Sequence, residues 1–217
     1  MHDINNANSL LLLCLWTLPE LLLQKSCKFI DAVHHHIVGN NHLGGQDFNN
    51  QLQKYLMSEI KNLYSRDLVE SSDIQSLRSA VETAKLNLTL HNVTTLNITL
   101  HSFNKKVYTR KITRKEFESI NKVLFDKILE PIKAILDYTE LERSDVDEIV
   151  MVGGSTRIPR VRQLISEYFN KSLNTGIDAD LAVVSGVAIQ AGIIGGMWPL
   201  PVSAVEVQTS VQKIVLN

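Results

Sequence analysis

The residues best suited to chemistry are two glycine pairs and one charged pair. The first glycine pair closes the run Ile149-Val150-Met151-Val152-Gly153-Gly154-Ser155-Thr156-Arg157-Ile158-Pro159. Two glycines let a backbone turn sharply and leave no Cβ to hold a ligand away. Pro159 suits the first turn of a helix, where its missing N–H has no partner to lose. A strand, a glycine turn and a helix N-terminus together form an anion site, because free amides and the positive end of the helix dipole point the same way. Arg157 adds a planar, permanently charged group beside the turn. The alternative is a tight connection that binds nothing. Gly44-Gly45 repeats the pattern by opening a second helix, and it too reads either as an anion site or as a plain helix entry. Glu82 and Lys85, three residues apart, share one helix face and form either an ion pair in solvent or a pair of ligand contacts.

The elements that must position these groups are legible from periodicity. Ile149 to Val152 is a short, wholly apolar run, as in a strand buried on both faces of a parallel sheet. Val161, Leu164, Ile165 and Tyr168 stripe the helix that follows. Behind Gly44-Gly45, a helix carries Phe48, Leu52, Tyr55, Leu56, Ile60 and Leu63 at helical spacing. After the polar link from Ser65 to Ser72, a helix capped by Asp73 buries Leu77, Val81, Ala84 and Leu88. Leu96, Ile98 and Leu100 alternate with polar residues, Asn104-Lys105 turns the chain, and Val107 to Ile112 returns as the second arm of a hairpin. Thr113-Arg114-Lys115-Glu116 is a capping box. It opens one long helix with Phe117, Ile120, Leu124, Ile128, Ile132 and Ile135 inward and a kink at Pro131. A last helix starts at Asp178 or Asp180, puts Ala182, Gly186, Ile189 and Ile193 on one face, and ends at Gly195-Gly196.

The chain has 217 residues, 22 basic against 23 acidic, for a net charge of −1. No basic stripe suggests nucleic acid. Cys14 and Cys27 lie outside the patterned part, and two cysteines make neither a disulfide framework nor a zinc site. His34-His35-His36 points its side chains in different directions and has no second ligand pair nearby. Residues 9–23 form a leucine-rich run of the length of a signal-peptide core, too short to span a bilayer. It lacks an N-terminal Lys or Arg, so it reads either as a secretory signal or as sequence unrelated to the folded part. Asn87, Asn92, Asn97 and Asn170 each begin an Asn-x-Ser/Thr acceptor, which either marks a secreted chain or arises by chance in an Asn- and Thr-rich stretch.

The string VGGSTRIP closely resembles the second adenosine and phosphate loop of the heat shock protein 70 (stress-70) chaperone family. Val81-Glu82-Thr83-Ala84-Lys85-Leu86-Asn87-Leu88 resembles the family's adenosine-contacting helix, the glycine pair Gly44-Gly45 its phosphate segment, and DADLAVVSGVAIQAG its closing core helix. The likeness covers roughly residues 39–200, in family order. It implies an α/β chain with the actin-like ATPase fold, corresponding to the second lobe only: a core layer with a helix-and-hairpin subdomain inserted at about 65–118. Residues 1–38 would stand outside it, the lobe would run over 39–196, and 197–217 would form a tail.

The resemblance also implies a site and its ligands. ATP or ADP is the expected ligand, with Mg²⁺ only in a complete two-lobed core. Gly153, Gly154, Ser155 and Arg157 would contact adenosine and phosphate, Gly44 and Gly45 would face the phosphates, Glu82 and Lys85 would hold the adenosine, and Asp180 would lie at the nucleotide's edge. Asn41 stands where the family has a threonine, and Leu86 where it has an arginine that stacks on adenine. The first lobe's phosphate loop, catalytic lysine and metal-associated carboxylates do not occur in the sequence, nor does a peptide-binding domain. The expectation is an N-terminally shortened, catalytically incomplete relative of the family's microsomal branch, resident in the endoplasmic reticulum or, alternatively, cytoplasmic. A module of protein interaction that works without nucleotide, through exchange factors, co-chaperones or ubiquitin-like proteins, is the rival reading.

Overall fold

The computed structural model describes residues 37–40, 42–146, 148–176, 178–196 and 213–216. The leucine run, Cys14, Cys27, the three histidines, Asn41 and most of the expected tail lie outside the described residues. The chain divides into two compact units. The described residues of 43–127 with 158–160 make one, and those of 1–42, 128–157 and 161–217 the other.

The first of these is built on two 20-residue helices, α1 (Gly45–Tyr64) and α2 (Ser71–Leu90). In α1 the inward stripe is Phe48, Leu52, Leu56 and Ile60, each four residues from the last, while Leu63 is exposed. Each fully buried aliphatic side chain contributes about 1.5–3 kcal/mol. Leu56→Ala would therefore cost about 2–5 kcal/mol. Ser65, in the left-handed region at φ 52°, ends the helix.

A hairpin of β2 (Val93–Leu100) and β3 (Lys106–Thr113) pairs Leu100 with Lys106 and Val93 with Thr113. Leu96, Ile98 and Leu100 face inward, and so do Tyr108 and Ile112 on the returning strand. The strands are joined by a 3-10 turn at His101–Phe103 followed by Asn104 and Lys105, both at positive φ, 55° and 58°. Asp73 does not cap α2, which begins two residues earlier at Ser71. It is fully buried and reaches across to the hairpin end, accepting hydrogen bonds from the His101 and Ser102 amides at 2.8 and 2.9 Å and from Ser102 Oγ at 2.5 Å.

The helix expected after Thr113 is broken into α3 (Arg114–Ile120), α4 (Lys122–Asp126) and α5 (Leu129–Thr139). The first break is at Asn121, not Pro131. The buried Asn121 side chain donates to the Phe117 carbonyl at 3.0 Å, which also accepts from the Asn121 amide at 3.1 Å. Pro131 falls in the first turn of α5, where no amide is missed. Thr113 Oγ1 accepts from the Glu116 amide at 3.2 Å. The Glu116 carboxylate goes instead to Arg110 at 2.5 Å, and Arg110 also grips Glu59 of α1 at 3.0 Å. Phe48 meets Phe125 at 4.9 Å between ring centroids, which ties α1 to α4.

In the second unit, β1 (Ile37–Asn40) runs parallel to β4 (Lys213–Leu216), and α5 packs on β1. Ile149 to Val152 are all buried, as the apolar run predicts. They do not form a full strand. Val150 makes a single parallel bridge to Asn174, with the Asn174 amide donating to Ile149 O at 2.8 Å. Parallel strands need a ladder of evenly spaced partners, and among the described residues this run has the one bridge at Val150. Helix α6 (Pro159–Phe169) buries Val161, Ile165 and Phe169, so its stripe is shifted one residue from Tyr168 to Phe169. Helix α7 (Ala182–Ile194) ends at Gly195 and Gly196, the latter at φ 68°. It leaves Val184, Val187 and Ile189 exposed.

Candidate functional site

In the unit holding α6 and α7, Gly153 takes φ 92°, a value that favours glycine, and its amide donates to the Ala179 carbonyl at 2.8 Å. Gly154 to Arg157 then coil into a 3-10 turn ahead of α6. Thr156 locks that turn from within, its hydroxyl donating to Gly153 O at 2.7 Å. Ser155 is half-buried in the same turn. Arg157 leaves the turn and reaches the 178–180 loop. Its Nε and Nη2 donate to Asp180 at 2.9 and 2.6 Å, and Nη2 also reaches Asp178 at 3.0 Å. Asp178 in turn accepts from the Asp180 amide at 2.9 Å, so the three residues fix one another. The Asp180 amide and the guanidinium together hold the Asp178 carboxyl below the usual range. A Cβ on Gly154 would sit 3.2 Å from Asp180 Oδ1, so a side chain there would press on this loop. Beside it lies a polar hollow of about 140 Å³ lined by Met151, Arg157, Arg162, Thr175, Asp178 and Ala179. With Arg157 paired to Asp178 and Asp180, and Arg162 Nε given to the Thr156 carbonyl, this lining suits a polar ligand.

In the other unit, the second glycine pair and the Glu82–Lys85 pair come together. Gly44 caps α1, and its own amide is taken by Asp47 at 2.8 Å. Lys85 crosses from α2 to donate to the Gly45 carbonyl at 3.3 Å and to Glu82 at 2.9 Å. Lys85 is largely buried while Glu82 keeps 45% of its side chain exposed. Partial burial pushes the Glu82 carboxyl up, but hydrogen bonds from Lys85 and Asn49 outweigh it and leave it below the ordinary range. Leu86 is 53% exposed next to this pair.

The expected residues thus gather into two sets. Gly44, Gly45, Glu82 and Lys85 belong to one unit; Gly153, Gly154, Ser155, Arg157 and Asp180 belong to the other. The periodicity reading assigned no role to Asn49, Asp178 or Arg162. Asn49 was detectable as a polar residue inside the apolar stripe of α1. Asp178 was marked only as a possible cap. Arg162, whose Nε donates to Thr156 O at 2.6 Å, gave no signal beyond its nearness to the loop. All four acceptor asparagines are exposed. Among the described residues no cluster of three or more His, Cys, Asp or Glu could hold a metal ion, and no helix is long and apolar enough to cross a membrane.

The family model described as Hsp70 protein matches residues 35–210. The chain belongs to the Hsp70 family. Its relatives include heat shock 70 kDa protein 13 of Homo sapiens, 43% identical over 222 residues that cover 82% of this chain and 47% of that protein. The Bos taurus protein of the same name is 42% identical over the same shares. A heat shock 70 kDa protein of Emericella nidulans is 40% identical over 159 residues, 73% of this chain and 24% of its own. The chain therefore spans about half the length of the first two. Hsp70 proteins in general carry an actin-like ATPase domain and bind adenine nucleotides; the mixed helices and small sheets of this chain agree with an α/β class.

Proposed function

We propose that this chain is an adenine-nucleotide-binding module of an Hsp70-type ATPase core, corresponding to the second lobe with its inserted helix-and-hairpin subdomain. The supporting observation is the contact of Lys85 with the Gly45 carbonyl, 40 residues away in sequence. It joins two stretches that the family resemblance assigned independently to one ligand. Glu82 and Lys85 hold adenosine hydroxyls, and the end of α1 at Gly44 and Gly45 faces phosphate, favoured there by the helix dipole. By the family resemblance Gly153, Gly154 and Ser155 of the other unit are nucleotide contacts too, and within that unit Asp178 and Asp180 orient the Arg157 guanidinium. The open side of Glu82 fits such a ligand. ATP, when bound, supplies the phosphoanhydride that the family cleaves with Mg²⁺. This chain's own residues bind and orient it. Millimolar ADP should raise the melting temperature of the chain, because a ligand that binds only the folded state stabilises it by mass action. No shift with ADP would overturn the reading.

One observation favours a second reading, a protein-interaction module working without nucleotide through exchange factors, co-chaperones or ubiquitin-like proteins. Helix α7 and its entry expose Leu181, Val184, Val187 and Ile189 by 56%, 66%, 48% and 38%. By resemblance to the family's microsomal branch, we place the protein in the endoplasmic reticulum, the cytoplasm being the alternative.

A further inference from the structure

Asn49 lies on α1, 5% exposed, in a polar notch of an otherwise apolar stripe. Its Nδ2 makes a short hydrogen bond to Glu82 Oε2, the same oxygen that Lys85 reaches at 2.9 Å. Its Oδ1 is buried without a hydrogen-bond partner. A buried carbonyl oxygen left unpaired is a cost that a folded protein keeps only for a reason. Turning the amide over would not relieve it, because the oxygen would then face the Glu82 carboxylate, acceptor against acceptor. The side chain is therefore held in one orientation by Glu82. With Oε2 receiving two donors, Oε1 has none among the described residues and belongs to a side chain still 45% exposed.

We infer that Asn49 is the positioning residue for Glu82: it pins one carboxylate oxygen and turns the other outward as a lone acceptor that selects a hydroxyl-bearing ligand. The inference rests on the nucleotide reading above, in which that hydroxyl is a ribose hydroxyl. A lone carboxylate oxygen rewards a ligand O–H and leaves a deoxy analogue with an unpaired, partly desolvated charge opposite it.

The test compares ADP with 2′,3′-dideoxy-ADP on the whole chain, by titration at about pH 8 and about pH 5.5. The wild type should prefer ADP by about tenfold or more at both values, the effect of one charge-assisted hydrogen bond. In Asn49→Asp the new carboxylate repels Glu82 when both are ionised, so the preference should vanish at the higher pH. It should return at the lower, where two close carboxylates share a proton and the introduced carboxyl O–H can donate as the amide did. A purely structural role would not give a preference that recovers with protonation. In parallel, the Glu82 carboxyl is titrated by carbon NMR in wild type and Asn49→Ala, without ligand. Loss of the Asn49 donor should raise its pKa, and this arm decides the matter if Asn49→Asp does not fold. An unchanged Glu82 titration, or a preference for ADP that both variants keep, overturns the inference while leaving the nucleotide reading in place. A wild type that binds neither nucleotide overturns both.

Discussion

Arg157 holds Asp180 through two nitrogens at once, Nε at 2.9 Å and Nη2 at 2.6 Å, across 23 residues of sequence. A two-point grip fixes the plane of the guanidinium, not just its charge. Both side chains are about half exposed, 45% and 53%, so solvent and salt screen most of the attraction. Arg157→Ala should therefore move the melting temperature by no more than about 2–4 °C. A scanning melt checks this, and a much larger drop would make the pair a fold-holding contact instead of a ligand-facing one.

Asp73 behaves in the opposite way. It is fully buried and accepts three hydrogen bonds from His101 and Ser102, tying α2 to the hairpin. Burial alone would push its carboxyl up, but these donors hold it below the ordinary value. A carboxyl depressed in the folded state stabilises at pH above its unfolded value of about 3.9 and loses that contribution as pH falls through the folded value. Asp73→Ala should cost about 2–4 kcal/mol at neutral pH in urea unfolding. The gap between variant and wild type should shrink in acid as pH falls from the unfolded value of about 3.9 through the lower folded one. A gap that is constant with pH would show the carboxylate form to be irrelevant.

Much of this unit was legible in the sequence. The hairpin emerged from period-two alternation at Leu96, Ile98 and Leu100, and α1 from its four-residue stripe, because each buries one face against one neighbour. Contacts between distant residues gave no such signal. Asp73 looks like a cap in sequence and serves a turn nearly 30 residues away; the helix is first interrupted at Asn121, whose buried side chain carries no periodic signal, and not at Pro131, which falls in a first helical turn. The apolar run at 149–152 was right about burial and wrong about the ladder, since buried strands are recognised by hydrophobicity whereas pairing depends on a partner that the run itself does not encode. In the candidate site, the glycines and charges were readable from motif strings. Asn49 and Asp178 were not, because they act on other residues of the site.

Leu86 is 53% exposed beside Glu82 and Lys85, so an arginine there meets no steric cost. If an adenine ring lies over this position, Leu86→Arg should tighten ADP binding by up to about tenfold through cation–π contact. Parallel titrations of the two proteins measure it. An unchanged affinity would remove Leu86 from the base-facing surface.

Compartment can be read from glycosylation. Asn92 lies in an exposed bend and Asn97 on the outer face of β2, where its side chain accepts from Thr109 Oγ1 at 2.9 Å. An edge hairpin presents both to a glycosyl-transferring enzyme. Expression in cultured cells should give a band that shifts on glycosidase digestion and stays unshifted in the Asn92→Gln, Asn97→Gln double variant. An unshifted wild-type band would favour the cytoplasm.

The most direct measurement of the central claim is calorimetric titration of the chain with ADP, repeated with Arg157→Ala and with Glu82→Gln. Glu82 and Arg157 are about half exposed, so their charge contacts work in a wet, screened setting. Saturable binding in about the high-micromolar range, near −5 to −6 kcal/mol, is the expected result, weakened in both variants. Submicromolar binding, or binding to which neither Arg157 nor Glu82 contributes, would contradict the residue roles assigned here; no binding at millimolar ADP would contradict the nucleotide reading itself.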